Sequence, residues 1–108
     1  MEIMQSLIEK MKTQICYIES VDRGTGFFCK IPYENNMTLK VLITAGYILN
    51  ENDILIGKKI KFSINDDKIK YEILIDESRK IFRNENYNIT IIKIKPNDLL
   101  KEISFFLI

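Results

Sequence analysis

Val41-Leu42-Ile43-Thr44-Ala45-Gly46-Tyr47-Ile48-Leu49 decides how the chain folds. Val41, Leu42 and Ile43 form an apolar, partly β-branched run that reads as a buried strand, and Ala45, Gly46, Ile48 and Leu49 suit one closely packed helical turn. Asn50 and Asn52 then break the pattern. A strand whose end throws a polar side chain into a cleft is how many enzymes present a reactive group, and Tyr47 occupies that place.

Outward from this stretch the period is two. Gly24-Thr25-Gly26-Phe27-Phe28-Cys29-Lys30-Ile31 is aromatic and β-rich, stops at Pro32 and gives way to the polar loop Glu34-Asn35-Asn36. It pairs as a hairpin with the strand from Gln14 to Glu19 through the turn-prone Asp22-Arg23-Gly24. On the other side, residues 57–64 and 68–75 alternate polar with apolar and are joined by Asn65-Asp66-Asp67, a second hairpin signal. Ile81-Phe82 adds a short strand, and residues 87–94 form a strongly β-branched one before Pro96. Ahead of all these, Met4, Leu7, Ile8 and Met11 recur at helical spacing, predicting a short amphipathic helix packed against the domain. Six or more short strands without helical crossovers predict an all-β fold, an antiparallel six-stranded barrel or half-barrel with a short N-terminal helix.

Composition narrows the function classes. A chain of 108 residues has room for one domain, and 46% apolar with 29% charged residues is a globular balance. The net charge of +1, with both signs interspersed, provides no field for nucleic acid or anionic lipid; Lys58, Lys59 and Lys61 alternate with apolar residues as the wet face of a strand. Cys16 and Cys29 are too few and too isolated for a disulfide scaffold or, with no histidine anywhere, for a zinc site. Both read as small buried hydrophobes, and Cys29 as a nucleophile is the minor reading. No signal peptide and no run of membrane-spanning length is apparent, so a cytoplasmic protein without cofactor or metal is expected.

Three segments in order, Gly24-Thr25-Gly26-Phe27-Phe28, residues 41–49 and Tyr87-Asn88-Ile89-Thr90-Ile91-Ile92-Lys93-Ile94, carry a resemblance. Together they are similar to the first half of a trypsin-like (chymotrypsin-fold, PA clan) serine peptidase, in which a Gly-x-Gly-Phe strand precedes a Leu-Thr-Ala-Ala-His turn bearing the general base. A later Asp-Ile-Ala-Leu-Leu strand bears its orienting acid. The resemblance spans about residues 14 to 95 and only the first of the family's two barrels. It implies domains of 1–13 (helix), 14–96 (barrel) and 97–108 (a segment leading to an absent second barrel).

The same alignment implies loss of catalysis. Tyr47 stands where the family carries histidine and Asn88 where it carries aspartate. A phenol keeps its proton through neutral pH, and an amide in place of the orienting acid costs ~10⁴-fold in rate in serine proteases. No serine lies in a Gly-x-Ser-Gly setting. The expectation is a catalytically inactive protease-like half domain that binds another protein or itself through its cleft-side face and its apolar tail, Phe105, Phe106, Leu107 and Ile108. The alternatives are the N-terminal fragment of a peptidase completed by a second barrel, or a truncated product without function.

Overall fold

A computed structural model describes residues 2–98 and 100–107. After α1 (Glu2–Gln14) come β1 (Ile15–Glu19), β2 (Gly24–Pro32), β3 (Thr38–Ala45), β4 (Lys59–Ile64), β5 (Ile69–Leu74), β6 (Ile81–Asn84), β7 (Ile89–Lys93) and the two-residue β8 (Phe106–Leu107). Seven strands pair antiparallel in the order β5-β4-β1-β2-β3-β7-β6, and β8 adds to β2 in parallel where β1 has ended. The result is a curled antiparallel half-barrel, one strand richer than six because Ile81–Asn84 forms a full ladder with β7.

Two apolar sets hold it. Ile18, Phe28, Leu42, Phe62, Ile73 and Ile92 fill the concave side. Phe28 stacks edgewise against Phe105 of the tail, ring centroids 5.8 Å apart, and Phe62 lies against Tyr71. The convex side of β2 and β3 has a smaller core, in which Cys29, Val41 and Ile43 are covered by Tyr33 and by Phe106 of β8. The central strands are therefore apolar on both faces, which is why residues 41–43 read as a continuous run rather than an alternation.

The two glycines of β2 both face inward. A Cβ at Gly26 would come within 2.9 Å of the terminal methyls of Ile18 and Leu42, and one at Gly24 would collide with Ile48 of the turn after β3. The Gly-x-Gly spacing thus makes room for the concave core. The β4–β5 turn is built from Asn65, Asp66 and Asp67, all with left-handed φ, which Asn and Asp tolerate better than other side chains.

Arg79 closes the edge of the sheet where β5 and β6 do not pair. Its guanidinium forks onto Asp98 with two bonds of 2.8 Å and donates to the carbonyls of Leu74, at the end of β5, and Lys93, at the end of β7. Both side chains of this ion pair are almost fully buried. Burial, the largest influence, raises the Asp98 carboxyl, but the Arg79 fork, the Lys95 backbone N–H and the charges of both residues together outweigh it and leave the group below its usual range.

The helix departs from expectation. Its apolar stripe was predicted to pack on the domain, whereas Ile3, Met4, Leu7, Ile8 and Met11 remain between 41% and 85% exposed. Only its last turn is fastened: Asn65 N donates to Lys12 O, Ser104 N donates to Thr13 O, and Gln14 is buried. The stripe is formed by local spacing, but the barrel presents no surface along most of its length. No helix among the described residues is long and apolar enough to cross a membrane.

Candidate functional site

The turn after β3 is the one the sequence singles out, and it is clamped from every side. Ala45 O accepts from Ile48 N (3.0 Å) and Leu49 N (3.4 Å), closing a single turn. Gly46 N donates to Asn88 O at 2.8 Å, and Arg83 Nη2 donates to Gly46 O at 3.0 Å. Ser20 Oγ donates to Ile48 O at 2.7 Å, and the buried Thr90 hydroxyl donates to Leu49 O at 2.9 Å. Ile48 and Leu49 are buried in the barrel. Carbonyls that a longer helix would satisfy internally are taken up here by side chains from three other segments.

The β3–β7 register sets Ala45 opposite Ile89, so the residues after β3 meet those before β7. Gly46 lies so close to the 85–88 turn that a Cβ there would stand 2.9 Å from Asn88 Oδ1 and 3.3 Å from the Asn88 carbonyl carbon. Gly46, next to Tyr47 in sequence, thus meets Asn88 at one corner of the molecule. Neither is a strand residue. The strand expected from residue 87 begins at Ile89, because Asn88 takes φ 52° and closes the turn through Asn88 N to Glu85 O. Tyr47 is 58% exposed and Tyr87 more so, and both project outward. Arg83 beneath this corner was missed by the sequence reading, because Ile81-Phe82-Arg83-Asn84 carries no pattern that marks it; its Nε and Nη1 are buried without a hydrogen-bond partner among the described protein atoms, and Nη1 lies 3.7 Å from Glu85 Oε1.

Chemically the corner holds a phenol, an amide, a guanidinium and, 3.7 Å from that guanidinium, the Glu85 carboxylate, but no imidazole. The two thiols are no replacement. Burial pushes Cys16 up to about 12 and raises Cys29 as well, so both rest as thiols. Cys29 lies under Phe106 on the convex side, in a different core from Cys16. Among the described residues no three His, Cys, Asp or Glu side chains gather to hold a metal.

The tail is largely consumed by the fold. Phe105 packs on Phe28 and lies under Lys40 Nζ, 5.3 Å from the ring centroid, while Phe106 meets Phe27 edge-on at 6.5 Å. Ile103 is buried, and of the described apolar tail side chains Leu107 is the widely exposed one. The expectation of a free apolar tail is thus corrected for Phe105 and Phe106, which cover the two cores; Ile108 lies outside the described residues.

Comparisons with known proteins leave the family open. No family model matches the chain, and no solved structure matches it. An uncharacterized protein of Rickettsia prowazekii (strain Madrid E) is 37% identical over 65 residues, covering 57% of this chain and 31% of the relative. The chain thus matches about a third of the length of that relative.

Proposed function

We propose that the protein is a catalytically inactive, trypsin-like half-barrel that serves as a protein-interaction module. The carrying observation is the corner where Gly46 N bonds Asn88 O: strands resembling the base-bearing and acid-bearing strands of that peptidase family meet there, yet present tyrosine and asparagine. With no histidine in the chain and both thiols held protonated by burial, it lacks the imidazole base of that family and a thiolate nucleophile. What remains is a rigid scaffold with an exposed tyrosine-bearing corner, a composition suited to contact rather than turnover. The limited coverage of the rickettsial relative supports a second reading, in which this barrel is one part of a larger architecture; that reading restores a serine-bearing barrel but not the two replaced side chains.

The test restores the missing pair. In Tyr47→His the single histidine should titrate near 6.5, and in Tyr47→His with Asn88→Asp its pKa should rise by up to about 1 unit as the carboxylate stabilises imidazolium. Equal histidine pKa values in the two variants, read by NMR, would disprove the proposed equivalence of the two positions. The unaltered chain should neither hydrolyse peptide esters nor take up a fluorophosphonate probe, and stoichiometric labelling of a serine would overturn the inactivity.

A further inference from the structure

Charges that the sequence scatters evenly are sorted by the fold. Lys40 of β3, Lys80 ahead of β6, Lys93 of β7, and Lys95 and Lys101 beyond it come to one end of the half-barrel, where two grooves adjoin. The first, about 260 Å³, is lined by Leu100 and Phe105 with Lys40, Lys95 and Lys101. The second, about 330 Å³, is lined by Tyr33, Met37 and Leu39 with Lys40, Lys80 and Lys93. Lys40, Ile94 and Pro96 belong to both, so the grooves are continuous. Among the described residues no Asp or Glu lines either one, in a chain with 15 acidic against 16 basic residues.

The chain's own carboxylates leave most of these lysines unneutralised. Lys95 pairs with Asp76, whereas no ion pair among the described residues involves Lys40, Lys80, Lys93 or Lys101, and Glu34 acts on Lys80 without pairing with it. Lys40 Nζ lies over the Phe105 ring, 5.3 Å from its centroid, and Lys80 Nζ donates to the Tyr33 hydroxyl at 2.9 Å. The ladders also set like charges against each other. Lys30 stands directly opposite Lys40, and the bond from Lys93 N to Lys80 O continues the β6–β7 register so that those two are opposed as well. Like-charged cross-strand pairs weaken a sheet, and an anion placed between them relieves the repulsion.

We propose that this end of the half-barrel docks an extended acidic peptide of a partner protein, its carboxylates on the lysines and its apolar side chains in the two grooves. Charge and shape together select this occupant. Single-stranded nucleic acid stacks on free aromatic faces, but Phe105 lies edge-on to Phe28 and under Lys40, and the Tyr33 ring lies under Lys80, 5.0 Å from its centroid. A lipid surface takes protruding apolar side chains, whereas Leu39 and Ile94 of the grooves are buried. The surface sits at the far end of the β3–β7 ladder from the Tyr47 corner, at Val41 and Lys93 rather than Ala45 and Ile89. It does not depend on the protease-like reading of that corner, and its test is separate from the histidine titration.

The probe is an eight-residue peptide alternating glutamate with leucine, labelled with a neutral fluorophore and followed by anisotropy as the full chain is added. It should bind with a Kd of about 10–100 μM in about 50 mM salt and at least about 5-fold more weakly in about 300 mM salt. The same peptide with glutamine for glutamate should bind at least about 10-fold more weakly. Lys40→Glu and Lys93→Glu should each lower the affinity about 5- to 20-fold, while Lys58→Glu, exposed and lining neither groove, stays within about 2-fold. Lys93→Glu also turns the repulsion from Lys80 into attraction, so its melting midpoint should not fall, which separates lost binding from lost fold. No saturation by about 1 mM protein overturns the proposal, as do Lys40→Glu and Lys93→Glu chains that bind like wild type. An oligothymidine carrying the same fluorophore and binding more tightly than the peptide overturns it in favour of nucleic acid.

Discussion

Cys16 points into the barrel from β1, where burial pushes its thiol up to about 12, and ionising it requires the core to admit a charge. Its folded pKa is raised, so its contribution is fully present below the ordinary thiol value near 9 and is lost as pH climbs toward 12. Full deprotonation would remove about 4 kcal/mol by linkage. Denaturant melts of wild type and Cys16→Ala should diverge in slope above pH 9, with the alanine variant flatter; parallel curves would show that the thiol does not control alkaline unfolding. Asn88 contributes through its backbone. At φ 52° an alanine is strained, so Asn88→Ala should cost about 1 kcal/mol while Asn88→Gly stays close to wild type. Gly26→Ala should cost about 1–3 kcal/mol, because the added methyl must displace Ile18 and Leu42 from a fully packed core.

Among elements, the Arg79 fork binds the ends of β5 and β7 to the segment that starts the tail. Removing one partner leaves the other charge buried, so Arg79→Met should destabilise by about 3–5 kcal/mol, far more than any surface ion pair of the chain. Because Asp98 is held below its usual range, its stabilisation is present above the ordinary carboxylate pKa and fades as pH falls through the lower folded value. Asp76, lowered to about 2 by its bonds from Lys95 and Ser78, acts in the same direction. Acid unfolding of Asp98→Asn should therefore show a shallower dependence below pH 4 than wild type, measured by near-UV dichroism. An unchanged slope would place the acid sensitivity in other carboxylates.

For the molecule as a whole, the tail now argues for stability before association. Phe105 seals the concave core against Phe28 and Phe106 seals the convex one against Phe27, so replacing both with serine should cost about 3–6 kcal/mol and leave a chain unfolded or marginal at 37 °C. A double variant that stays fully folded with an unchanged melting midpoint would return the tail to the role of a free sticky segment. The strand series was legible because each segment carries its own period and its own turn residues: Asn65-Asp66-Asp67 for the β4–β5 turn, Gly24 opening β2, the β-branched run of β7. The meeting of Gly46 with the Asn88 turn falls where β3 and β7 share a ladder, a pairing between distant segments.

Other features had no local signal. Spacing alone gives α1 an apolar stripe, and the same spacing would serve a covered helix; exposure was decided by where the bonds from Asn65 and Ser104 aim it. Arg79 lies in a polar stretch that reads as a solvated loop, and its burial follows from two strand ends 14 and 5 residues away converging on one guanidinium. Phe105 and Phe106 look in sequence like unsatisfied surface, because apolarity states only that a side chain must leave water, not what will cover it. From its sequence alone the chain determines an antiparallel half-barrel and the absence of a histidine base. Tertiary structure decides which apolar groups are covered by the chain's own barrel and which stay in water, because coverage is a long-range property that no window of sequence contains.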